Sequence, residues 1–274
     1  MGRDTKIPWC DSTINPVVGC DGCELHRAAV EESHCYAASL VGRYAGLPGW
    51  PAFFDKPELF AGRIEQACRW SDLKGKNRPG KPWLNGYPRT IFLGDLADVF
   101  TESLPFDWLA PHLGPMARMS HIWILCTKRP RRARRFFENY AAPPNFWLLT
   151  TVTGPATSNR IAELLRVPGV SVRGISLEPM LGPVDLDVCG ATGIEISNAY
   201  GGLRHRAIDW LILGGESGSG ARPMDRQWAQ TVRDQCVRED IPFFFKGWGS
   251  QVRGNLLDDR EWRDMPQVRP FQAA

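Results

Sequence analysis

The chain has 274 residues, 43% of them hydrophobic, enough for one sizeable core, and a single α/β domain is the simplest organisation. A formal charge of only +3, from 33 basic and 30 acidic side chains, excludes a globally basic nucleic-acid binder, so any basic surface has to be local. No apolar run approaches the ~20 residues that cross a bilayer, and neither a secretory leader nor a disulfide framework is legible in eight scattered cysteines, which sets the expectation of a cytoplasmic protein with no membrane partner.

Short apolar runs rich in β-branched and aromatic residues recur along the chain, each followed by a polar turn and a stretch with helical spacing. The first, 15–18, is weak and runs straight into a cysteine-rich segment; stronger ones follow at 90–93, 121–126, 145–151, 172–177, 209–213 and 242–246. Runs such as Ile-Trp-Ile-Leu at 122–125 and Trp-Leu-Ile-Leu at 210–213 do not alternate, as expected of parallel strands buried on both faces. Segments 130–140, 156–166 and 225–240 have the length and periodicity of covering helices. The pattern predicts a single-domain partial or full (β/α) barrel over 1–254, with a loop at 10–36 carrying the cysteines and a loosely packed extension at 255–274. Two polar stretches, 71–87 and 187–206, read as surface insertions.

Cys10, Cys20, Cys23 and Cys35 crowd the N-terminal segment, with Gly19 and Gly22 beside the close pair to let the backbone turn round a bound group. Three thiolates suit a 4Fe-4S cluster with one iron left open; all four, or three with His26 or His34, suit a structural zinc. Spacing alone does not separate the two. Cys68, Cys126, Cys189 and Cys236 stand singly and read as small buried hydrophobes.

In a barrel the loops after the strands converge on one mouth. At those positions stand Gly94, Asp95 and Asp98, then Thr127, Lys128 and Arg129, then Thr150 and Thr151, then Ser176 and Glu178, then Glu216 and Ser217, and last Lys246. So many polar groups at one end are costly to bury without a ligand.

Several of these residues fall in stretches that resemble a known family. They are Thr13-Ile-Asn15-Pro16-Val-Val-Gly19-Cys20, Cys35-Tyr36-Ala37, Leu125-Cys-Thr127-Lys128-Arg129-Pro130, Ser176-Leu-Glu178-Pro179, Gly214-Gly-Glu216-Ser217-Gly218 and Phe243-Phe-Phe-Lys246. Over most of 8–250 the chain resembles the phage-associated three-cysteine-motif proteins, a family regarded as similar to radical S-adenosylmethionine (SAM) enzymes. It departs in having its close cysteine pair first. The resemblance implies a parallel barrel with a 4Fe-4S cluster on Cys20, Cys23 and Cys35, reductive cleavage of SAM to a 5'-deoxyadenosyl radical, and an electron donor to reduce the cluster. It further implies Gly94, Asp95, Ser176, Glu178, Glu216 and Lys128 as SAM-binding candidates and Glu178, Glu216 and Lys246 as catalytic ones.

The run 128–135 holds six basic residues in eight, and Arg129, Arg131, Arg132, Arg134 and Arg135, with Arg222, are candidates to neutralise nucleic-acid phosphates; the competing reading is a solvated helix face. Trp50, Phe53, Phe54 and Trp83 are candidate stacking rings. The expectation is a radical enzyme modifying or repairing nucleic acid, DNA first, with a partner protein as a further candidate. Two alternatives stand beside it: a zinc-stabilised nucleic-acid-binding module, and a metal-dependent nuclease or hydrolase built on Asp95, Asp98, Glu178 and Glu216.

Overall fold

The computed structural model describes residues 2–26, 34–192, 194–195, 204–205 and 207–267. Strands β1 (Ser12–Ile14), β2 (Thr90–Leu93), β3 (Ile122–Thr127), β4 (Phe146–Thr151), β5 (Val172–Leu177), β6 (Trp210–Gly214) and β7 (Phe243–Gly247) form one sheet in chain order. Every pairing in it is parallel. The first and last strands pair with no partner strand of this sheet on their outer sides, so the curved sheet is a half-barrel and not a closed one. Among the described residues six α-helices accompany it: α1 (Tyr36–Tyr44), α2 (Arg63–Cys68), α3 (Ala110–Ala117), α4 (Pro130–Asn139), α5 (Asn159–Leu165) and α6 (Arg226–Arg238). Among the described residues no helix is long and apolar enough to cross a membrane.

The two-sided burial inferred from the apolar runs has a direct cause. Leu93, Leu125, Leu148, Leu177, Leu213 and Phe245 face a large outer core shared with Phe136, Ile161 and Val232 of the helices. Their strand neighbours Phe92, Ile124, Trp147, Ile212 and Phe244 face an inner cluster with Trp9 and Cys10. Successive side chains point to opposite faces, and both faces are covered, so apolar residues stand at consecutive positions.

Both sheet edges are hydrogen-bonded by passing chain. Gly2 and Thr13 exchange backbone bonds across β1, antiparallel, at 3.3 and 2.8 Å. On the far edge Phe245 N donates to Trp262 O at 3.0 Å and Asp264 N to Phe243 O at 3.1 Å. The described part of 255–274 is therefore packed along β7, where a loose extension was expected; 268–274 lies outside the described residues.

The structure makes further corrections. The first strand of the sheet is 12–14, before the run at 15–18. Pro16 has no N–H for the ladder, and Val17–Val18 pairs instead with Glu58–Leu59, antiparallel. The segment 71–87 is an internal clamp: Arg78 and Leu84 are buried, and Trp83 and Tyr87 pack on the inner cluster. Its polarity reflects internal donors as well as water. Helix α3 went unread because Pro111, Gly114 and Pro115 are poor helix formers; it is held by Leu113 and Met116 in the core. Of the insertion 187–206, residues 194–195 and 204–205 form a short antiparallel pair, and 193, 196–203 and 206 lie outside the described residues.

Candidate active site

A cleft of about 440 Å³ opens at the C-terminal ends of the strands. Cys20, Cys23 and Cys35 all line it, although they lie on both sides of 27–33, which is outside the described residues. Gly94, Asp95, Lys128, Arg129, Ser176, Glu178 and Lys246 line it too, whereas Thr127, Thr150 and Glu216 of the strand-end set do not.

The cysteine loop is built on left-handed glycines. Gly19 and Gly22 have φ of +100° and +94°, and a Cβ on Gly19 would stand 2.6 Å from the Phe54 carbonyl oxygen. No residue with a side chain fits that approach. Several donors face the sulfurs: Leu25 N stands 3.4 Å from Cys23 Sγ, Arg129 Nη1 3.5 Å from Cys20 Sγ, and Thr101 Oγ1 3.9 Å from Cys20 Sγ. Hydrogen bonds to sulfur are what thiolate ligands of an iron–sulfur cluster receive from their surroundings. In donor type the three cysteines suit such a cluster. Among the described residues no three Cys, His, Asp or Glu side chains stand as a group that could hold a single metal ion.

Behind the loop, Asp98 is buried and fully engaged. It accepts from Thr127 Oγ1 at 2.8 Å, from Lys128 N at 2.8 Å and from Arg129 Nη1 at 3.2 Å. Arg129 Nη2 in turn donates to the Gly22 carbonyl at 2.9 Å. Burial works against the guanidinium's charge, but Asp98 and Cys20 outweigh it and raise the Arg129 pKa further. Arg129, a phosphate candidate from sequence, is thus spent inside the protein.

Asn15 holds the loop after β2. Its Oδ1 accepts from Leu96 N at 3.0 Å and its Nδ2 donates to Asp95. Burial raises the Asp95 pKa, against the lowering effect of that bond. The Tyr36 hydroxyl donates to the Asp95 carbonyl, joining the residue after Cys35 to the same loop. On the opposite wall Lys246 Nζ lies 2.6 Å from Glu178 Oε1. Burial lowers the Lys246 pKa, but the Glu178 charge more than compensates and leaves it raised. Cys126 also lines the cleft, where burial, then Glu178, push its thiol pKa up and keep it protonated.

Other candidates stand apart. Arg222 grips Glu216 bidentately at 2.9 and 2.6 Å, and this pair is not part of the cleft lining. Burial raises the Glu216 pKa, but the bonds from Arg222 prevail and lower it. His34 Nδ1 stands 3.8 Å from Glu216 Oε2. Cys10 is packed in the inner cluster and does not line the cleft. On α4 and its entry, Arg131 pairs with Glu163 at 3.5 Å, Arg132 with Glu102 at 2.7 Å and Arg134 with Glu163 at 3.3 Å. Only Arg135 of that helix has no carboxylate partner among the described residues. Trp83 is bound to the Pro8 carbonyl within the clamp and is no stacking ring.

Sequence reasoning missed the floor of the cleft. Thr5, Lys6, Ile7 and Trp9 reach it on a strap that Lys81 staples down, its Nζ donating to the carbonyls of Thr5, Ile7 and Cys10 at 2.7, 2.7 and 2.5 Å. No local pattern in 5–10 signals this, because the staple comes from a residue far along the chain.

A family model described as protein of unknown function (DUF5131) matches residues 4–266. No curated protein and no solved structure matches the chain.

Proposed function

Since the chain belongs to the DUF5131 family, whose description assigns no activity, we propose from the site itself that this protein is a radical SAM-type enzyme acting on nucleic acid. One observation carries the reading: three cysteines, two on a glycine-turned segment and one at the N-cap of α1, line the same strand-end cleft as a ring of charged and polar groups. Cys20, Cys23 and Cys35 would hold the 4Fe-4S cluster, which with SAM would supply a strongly reducing electron and a carbon-centred radical.

The remaining residues have roles in binding and shielding. Asp95, set by Asn15, offers a carboxyl for the amino group of the cofactor; Lys128, which has no carboxylate ion pair among the described residues, offers charge for its carboxylate. Ser176 offers a hydroxyl at the end of β5. Glu178 and Lys246, as a contact pair, can orient a polar substrate or exchange a proton with it. Trp9, Phe92 and Phe54 give the cleft apolar walls that exclude water.

Around one zinc ion, thiolate sulfurs would sit about 3.8 Å apart, given Zn–S bonds of about 2.3 Å. A cluster's ligands bind different irons and stand further apart than that, so iron, sulfide and zinc content separates the two readings. The nuclease alternative is disfavoured because Asp98, Glu178 and Glu216 each have a cation of their own.

The test is oxygen-free purification followed by an absorption spectrum and iron, sulfide and zinc analysis, beside a Cys20→Ala, Cys23→Ala, Cys35→Ala triple variant. A brown protein with about four irons per chain, lost in the variant, is the expected result. Colourless protein, or one zinc per chain, would overturn the reading.

A further inference from the structure

The substrate-binding surface can be sought separately from the chemistry. Ten large hydrophobic side chains are exposed among the described residues, and five of them, Tyr36, Tyr44, Leu47, Phe53 and Leu59, fall within 36–59. That segment runs from the last cysteine through α1 and the loop behind it. It carries three of the four exposed rings: Phe53 is 59% exposed, Tyr36 54% and Tyr44 37%. Exposed apolar side chains gathered in one segment beside a cleft mark a candidate binding surface.

The segment is supported from beneath. Ala37 and Val41 of α1 pack with Val18 and Leu96 in a small separate cluster, against which Trp50 and Phe54 lie half-buried. Trp50 stacks on Tyr44 with centroids 4.9 Å apart, and Lys56 Nζ sits 4.9 Å over the Phe53 ring. Tyr36 and Phe54 belong at once to this surface and to the cleft wall: the Tyr36 hydroxyl is anchored on Asp95 while its ring stays open. The rim is thus continuous with the site.

Its chemistry selects the occupant. The exposed rings match flat bases, and Lys6 and Lys128 in the adjoining cleft match the phosphates that join them; within the segment Asp55 and Glu58 offset Arg43 and Lys56, so the rim itself contributes stacking and not charge. Duplex DNA hides its base faces, so rings can stack only on unpaired bases. The basic helix α4, the obvious phosphate surface from sequence, spends three of its four arginines on intramolecular carboxylates. Resting on the nucleic-acid reading of the cleft, we infer that the protein takes a single-stranded or flipped-out segment, seated by base stacking on the 36–59 rim and not by the arginines of α4.

The experiment is fluorescence anisotropy of fluorescein-labelled 12-nucleotide DNA and RNA strands of mixed sequence, and of the matching DNA duplex, with the purified full chain. Single strand is expected to bind more tightly than duplex. A Tyr44→Ala, Phe53→Ala variant should lose about 5- to 150-fold in affinity for each stacking contact removed. Phe53→Leu, which keeps apolar area without a π face, should lose part of this, and Arg131→Gln with Arg135→Gln should change affinity less than twofold. Thermal melting checks that each variant is folded. Absence of single-strand binding at low salt, unchanged affinity in the ring variant, or dependence on Arg131 and Arg135 overturns the inference. So does self-association, read by light scattering, that disappears in the ring variant, since the rim would then pair two copies. Metal content is read on the same preparation: colourless protein that binds the strand sinks the cluster alone, and brown protein that does not bind it sinks the rim alone.

Discussion

Arg129 and Cys20 are joined across more than a hundred positions of sequence: the guanidinium Nη1 lies 3.5 Å from the Cys20 sulfur while Nη2 holds the Gly22 carbonyl at 2.9 Å. A strand-end residue thereby fixes the geometry of a glycine-turned loop that has little secondary structure of its own. Arg129→Met should loosen that loop. The expected outcome is less iron retained per chain after anaerobic gel filtration and faster amide exchange at 19–23, with Arg129→Lys intermediate because one ammonium cannot span both partners. Unchanged iron retention and exchange would show that the loop stands without the arginine.

The buried pair Arg78–Asp11 is a stability determinant distant from the cleft chemistry. Nε and Nη2 of Arg78 reach the carboxylate at 2.7 and 3.3 Å, and Asp11 also accepts from Thr90 N and Oγ1, both at 2.9 Å. Arg78→Met leaves a buried carboxylate without its cation and should cost about 3–5 kcal/mol in urea unfolding. A loss under 1 kcal/mol would mean that the Thr90 bonds suffice.

Gly215 has no room for a methyl group: a Cβ would stand 2.1 Å from the Trp248 carbonyl oxygen. Gly215→Ala should force β6 and β7 apart at their C-terminal ends and destabilise by about 1–3 kcal/mol, typical of overpacking. Differential scanning calorimetry reads this directly; wild-type stability would show that the 248 loop moves freely.

Asp72 gives a pH signature. Burial raises its pKa, but N–H donors from Lys74, Arg89 and Leu73 prevail and hold it below the usual carboxylate range. A carboxyl whose folded pKa is depressed stabilises above the unfolded value of about 3.9 and loses that contribution as pH falls below it. The urea-midpoint gap between wild type and Asp72→Asn should therefore be present at pH 6 and shrink by pH 3. A gap independent of pH would assign the effect to hydrogen bonding alone.

Six of the seven strands were legible because two-sided burial writes an uninterrupted apolar run, as in Ile122–Thr127. The short β1 was misplaced by a few residues, since Val17 and Val18 are as apolar as any strand yet follow a proline. In the site, Asp95, Lys128, Ser176, Glu178 and Lys246 could be grouped from position alone, because parallel strands end on one side. Glu216 and Arg222 were grouped with them and do not line the cleft. They are six residues apart and neutralise each other, a local pairing that strand-end logic does not see. Lys6 and Trp9 were invisible for the opposite reason: their place depends on Lys81, and a lysine bonded to three carbonyls looks in sequence like any solvated lysine.

The segment that runs along β7 at 262–264 does more than add packing. Without it Phe243–Gly247 would present an open row of donors and acceptors backed by three consecutive phenylalanines, a ready template for a second copy. A chain cut after Gly254 would thus be exposed to strand-to-strand polymerisation even where its cleft and its sheet stayed folded.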